Sequence, residues 1–160
     1  MANKLSTKSE RDKDRKLKDG AVVCFDMQNF LTCPRANISS FFYRRKFNVY
    51  NLTAHCSLDK QAYCAFWGEN VSGMSGNDIA SALTKILERI ADKHPETKRF
   101  IPWSDSCDPQ NRNQAMNLAI KEFMKAHPII EVVEQKFCEP GPSSIQEVDN
   151  IHSLIKKCWM

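Results

Sequence analysis

No apolar run in this chain approaches the roughly 20 residues that a bilayer-spanning helix requires, so neither a membrane segment nor a membrane partner is expected. The N-terminal stretch MANKLSTKSERDKDRKLKDG lacks the apolar centre of a secretory signal. The chain therefore reads as intracellular, with the nucleus one compartment open to it. CxxC pairs are missing as well. The seven cysteines (24, 33, 56, 64, 107, 138 and 158) are odd in number and widely spaced, whereas zinc sites announce themselves by close-spaced pairs. Scattered reduced thiols are expected and zinc is not, a metal site drawn from a few of the thiols being the alternative. The adjacent pair His55-Cys56 would face opposite sides of a strand. No internal repeat is visible.

What is present fits one domain. A chain of 160 residues can bury a core without staples, and 42% apolar with 26% charged residues is ordinary for a globular protein. The net charge of +4 is concentrated at the start: residues 1–19 carry seven Lys/Arg and four Asp/Glu, leaving about +1 for the remainder. That segment reads as a disordered basic tail or linker that could touch phosphate, with the folded domain spanning 20–160. Deleting the tail is expected to change stability by less than about 0.5 kcal/mol.

From Gly20 the run AVVCFDMQNF is apolar on both pleat faces, as in a central strand covered on both sides. Asp26 sits inside it, where a charge is expensive unless compensated. FFYRRKFNVYNLTAHCSL and QAYCAFWGE read as two further strands joined at Asp59-Lys60. Ile79, Leu83, Ile86, Leu87 and Ile90 recur at helical spacing, with Asn77 as cap and Pro95 as stop. KRFIPWSD is a fourth strand ending at Asp105, although Pro102 removes a ladder donor there. QNRNQAMNLAIKEFMKAH is a second helix and EVVEQKF a fifth strand. Ser144-Ile145-Gln146-Glu147 forms a capping box that opens a last helix reaching about Lys157. The order βββαβαβα implies an α/β fold, a five-stranded mixed sheet with helices on its faces.

Three acids stand out in that order. Asp26 lies in strand one and Asp105 ends strand four. In the last helix the apolar stripe Ile145, Val148, His152 and Ile155 has Asp149 at its edge, while Glu147 points away. Hard divalent cations take oxygen ligands, usually one or two carboxylates with phosphate and water. Each acid also has a plain reading: Asp105 as a turn or cap, Asp149 as a half-exposed helix acid. His152 reads as a ligand or supporting residue, or equally as a satisfied core histidine.

The stretches CFDMQNF, FYRRKFNVYNL, WGENVSG, SDSCDPQNRN and KFCEPGPSSIQEVDNIHSLI resemble a domain of unknown function found in animal transposon-derived proteins. That domain is similar to the ribonuclease H-like DDE/DDD transposase and integrase superfamily. The resemblance covers nearly all of residues 20–157. It implies a ribonuclease H-like sheet in which strands one and four are neighbours, so that Asp26 and Asp105 converge. It further implies catalytic and metal-binding roles for Asp26, Asp105 and Asp149, with Mg²⁺ or Mn²⁺ as cofactor. Gln110, Asn111 and His152 would contact substrate, the first two being turn or cap residues otherwise. The implied partner is nucleic acid, DNA before RNA. The implied function is a transposase-derived, metal-dependent nuclease or strand-transferase core, active or inactivated. The alternative is a non-catalytic nucleic-acid- or protein-binding module that keeps the fold.

Overall fold

The structure is a computed structural model that describes residues 2–17, 20–33, 39, 44–105, 113–138 and 146–159. It is an α/β fold whose elements run α1 (Ala2–Arg15), β1 (Gly20–Cys33), β2 (Phe47–Cys56), β3 (Ala62–Gly68), α2 (Gly76–Lys93), β4 (Arg99–Asp105), α3 (Gln114–Ala126), β5 (Val132–Val133), β6 (Lys136–Cys138) and α4 (Gln146–Trp159). The sheet is mixed, in the order β3-β2-β1-β4-β5, with β6 also pairing β4. β1–β2 and β2–β3 are antiparallel, whereas β1–β4, β4–β5 and β4–β6 are parallel.

Strand β1 is central, and its residues Ala21 to Phe25 are all at most 1% exposed, as a strand covered on both faces requires. Its pleat divides the core. Ala21, Val23 and Phe25 pack with Leu52, Ala54 and Phe100 against the apolar stripes of α2 and α3. Val22 and Cys24 point the other way, into a smaller cluster with Ile101, Trp103, Cys138 and Val148 beneath α4. Ile79, Leu83, Ile86, Leu87 and Ile90 are buried along α2 as their spacing requires. The α2 cap is Ser75, not Asn77: Ser75 and Asp78 close a reciprocal capping box, which satisfies two orphan N–H groups where Asn77 could serve one. α3 is capped by Asn113, which accepts from the Met116 N–H at 2.8 Å. The second strand, read over 41–58, occupies Phe47–Cys56 among the described residues.

The fifth strand, expected over 131–137, is interrupted. β5 and β6 keep one register with β4, Phe100 opposite Val133 and Trp103 opposite Lys136, so the break falls opposite Ile101 and Pro102. The Glu134 N–H donates to the Phe100 carbonyl at 2.9 Å. The next rung of a parallel ladder would be an N–H from residue 102 to the Glu134 carbonyl, and proline has none.

Residues 1–19 were expected to be disordered; instead Ala2–Arg15 form a helix seated on the sheet. Composition misleads here because polar groups do the seating. Asp14, 7% exposed, accepts from Trp103 Nε1 at 3.1 Å and pairs with Lys136 Nζ at 2.9 Å. Arg15 Nη2 reaches Glu147 at 2.7 Å, joining α1 to α4. Among the described residues no helix is long and apolar enough to cross a membrane.

Candidate metal centre

On β1 the residues facing α4 are Val22, Cys24, Asp26 and Gln28, an apolar pair followed by a polar pair. The parallel register with β4 puts Cys24 beside Trp103. Two residues further along each strand lie Asp26 and Asp105, level with one another at the end of β4. Helix α4 crosses the same face with Val148 fully buried. Asp149 follows, and His152 comes up one turn later on that side. Ligand atoms of Asp26, Asp149 and His152 all lie within 4.8 Å of one another.

Asp105 is half-buried beside this trio without belonging to it, yet it acts on it. Burial pushes the Asp26 carboxyl up, the Asp105 charge pushes it further, and Asp149 adds a smaller contribution. The Met27 N–H, donating to Asp26 Oδ1 at 2.8 Å, opposes them, and the net value is about 6. Burial lowers the His152 imidazole, against a raising pull from Asp149, which favours the neutral ring that a metal ligand must be. Its Nε2 is buried and has no hydrogen-bond partner among the described residues. A bound cation relieves the crowded carboxylates, and an imidazole with an uncompensated buried nitrogen completes a mixed O/N donor set. The residues present therefore fit a divalent ion.

A buried polar chain braces the trio from below. Gln28 Nε2 donates to the His152 carbonyl at 2.9 Å. Asn51 Nδ2 donates to Gln28 Oε1 and to Thr53 Oγ1, each at 2.9 Å. These groups were not singled out from sequence. Their signal was present in β2, where Asn51, Thr53 and His55 alternate with apolar residues, but it needed the β1–β2 register to connect Asn51 to Gln28.

Glu147 lies away from the trio, against Arg15. Burial raises its carboxyl, but its own backbone N–H and the Arg15 guanidinium outweigh that and hold it below the usual range. Gln110, Asn111 and Cys107 lie outside the described residues, as does the Ser144 end of the expected capping box. The other six cysteines are free thiols. Burial pushes Cys24, Cys56 and Cys138 up, Cys138 to about 11, so all three stay protonated at neutral pH. His55 pairs with Cys24 across the sheet and Cys56 with Val23, so the adjacent pair diverges onto opposite faces.

Compared with known proteins, the chain matches no family model, no curated protein and no solved structure.

Proposed function

We propose that this chain is a ribonuclease H-like, transposase-derived domain whose acid cluster serves as a Mg²⁺- or Mn²⁺-dependent nuclease or strand-transferase centre. The observation that carries the reading is the meeting of Asp26, Asp149 and His152 within 4.8 Å, from elements far apart in sequence, with the Asp105 charge bearing on Asp26. The adjacency of β1 and β4 and the order βββαβα from β1 to α3 support the ribonuclease H-like part of it.

Asp26, Asp149 and His152 would hold the ion, and Asp105 lies where it can complete an acidic rim. A divalent ion bound there supplies charge stabilisation to the oxygens of a phosphodiester. The protein's own share is positional. Gln28 fixes the backbone of α4 at His152, and Arg15 fixes the first turn of that helix through Glu147. Two carboxylates define a hard site, and one imidazole favours Mn²⁺ over Mg²⁺.

Millimolar Mn²⁺ should stabilise the folded protein by about 2.7 kcal/mol at a hundred times Kd. That corresponds to a rise in Tm of about 5–10 °C for a chain of this size. Asp26→Asn and Asp149→Asn should each abolish the rise; a wild type indifferent to Mn²⁺, Mg²⁺ and Zn²⁺ overturns the metal reading. The position of Asp105 outside the trio favours a second reading, a non-catalytic binding module that keeps the fold. Mn²⁺ binding without cleavage of a labelled strand selects that reading.

A further inference from the structure

Helix α4 packs on β1 and β2, and among the described residues no helix packs comparably on the same face of β3. On that face Phe66 is 48% exposed and sits opposite Asn51 of β2. Phe47, 37% exposed, belongs to the same face by the alternation that also places Val49, Asn51 and Thr53 there. The Phe47 ring lies across Gly68, where a Cβ would collide with it. Glycine at 68 is thus what lets the tip of the ring reach over β3, two residues along from Phe66. At roughly 3.3 Å per residue this puts the two rings about 7 Å apart.

The rim of this face is basic. Arg44, Arg45 and Lys46 lead into β2 and are all exposed. Cys33 pairs with Phe47, and the neighbouring Thr32 carbonyl accepts from Trp159 Nε1 at 3.4 Å. The end of α4 is thereby drawn to the same end of the ribbon, bringing the exposed Lys156 and Lys157 with it. Glu69 offsets part of this charge, lying 3.7 Å from Arg45. At the other end of the face, Thr53 is paired with Asp26. Asn51 and Thr53 are both fully buried, so the open part of the face is Phe47 together with the outer residues of β3.

We propose that the exposed part of this face, from Phe47 across Gly68 to Phe66, binds a single strand of nucleic acid. Two of its bases stack on Phe47 and Phe66, and its phosphates lie along Arg44, Arg45, Lys46, Lys156 and Lys157. Basic residues on one rim match a polyanion, and two partly exposed aromatic rings suit unpaired bases, whereas a duplex keeps its base faces stacked. The proposal names the strand form of the substrate in the function proposed above. That role rests on the function proposed above whereas binding itself does not, so the test leaves metal out.

The test is binding of a labelled mixed-sequence single strand of about 12 nucleotides to the full chain in EDTA, followed by anisotropy across a salt series. Single-strand binding should exceed binding of the matching duplex. Lys156→Gln with Lys157→Gln, and Arg44→Gln with Lys46→Gln, should each flatten the log Kd–log salt slope by about 1.4. Phe66→Ala should weaken single-strand binding about tenfold and leave the slope unchanged. Phe66 is half exposed, so an unaltered Tm verifies that the variant folds. Absence of binding, equal binding of duplex, or indifference to Phe66→Ala overturns the proposal. So does a self-associating wild type that becomes monomeric with Phe66→Ala, because a second copy then covers the face. Loss of the Mn²⁺ response with binding intact in EDTA would instead remove the metal reading alone.

Discussion

At Asp26, burial and two neighbouring carboxylates act in the same direction, and a single backbone N–H acts against them. The folded protein therefore favours the protonated carboxyl relative to the unfolded chain. The stability this brings is complete below the unfolded value near pH 3.9 and is lost as pH rises through about 6. Asp26→Asn keeps an oxygen for the Met27 N–H and removes the charge. In metal-free buffer the variant should match wild type near pH 4 and exceed it by about 2–3 kcal/mol near pH 8. Denaturant unfolding at the two pH values measures this, and a variant less stable than wild type at high pH would mark Asp26 as a structural anion. Asp59 provides the opposite case. Burial raises it, but the Tyr63 hydroxyl at 2.6 Å, the Gln61 N–H, Lys93 and His94 hold it well below the carboxylate range. Its contribution is present above about pH 3.9 and lost as pH falls, and Asp59→Asn should cost about 1–2 kcal/mol at neutral pH.

Helix α4 presents two acids to two different partners, Glu147 to Arg15 and Asp149 to Asp26. Glu147→Gln should cost about 1 kcal/mol of stability through the half-buried pair and leave Mn²⁺ affinity unchanged. Asp149→Asn should do the reverse, so equal effects on both readouts would end the distinction. Helix α1 belongs to the same accounting. Removing residues 2–15 would uncover Trp103 and leave Lys136 without Asp14 and Glu10, a loss of about 2–4 kcal/mol by chemical denaturation. This replaces the negligible change that composition alone suggested. Helix α2 was legible because its five apolar residues all face one layer, and periodicity records that directly. Helix α1 was not, because Trp103, Lys136 and Glu147, which hold it, lie far along the chain and leave no local pattern. The broken fifth strand was half legible: Pro102 marked the missing donor, but only the register of β4 with β5 and β6 placed the gap opposite it.

Across the whole molecule, the acids at 26 and 149 could be chosen from strand burial and helical face, since both depend on local periodicity. That Asp105 stands level with Asp26 but outside the trio, and that Gln28 and Asn51 support it, depends on strand pairing, which no local pattern encodes. The mode of assembly also has a consequence in time. Asp26 and Asp149 belong to the central strand and the last helix, and β1 and β4 pair in parallel across the intervening hairpin and helix. Closing contacts of such wide sequence separation is slow and comes late in folding. The trio is then absent from early folding species and complete only in the native state. A cation held by it should therefore slow unfolding and leave the refolding rate almost unchanged. In a stopped-flow chevron, Mn²⁺ should shift the unfolding arm alone; an accelerated refolding arm would mean that β1, β4 and α4 come together before the rate-limiting step.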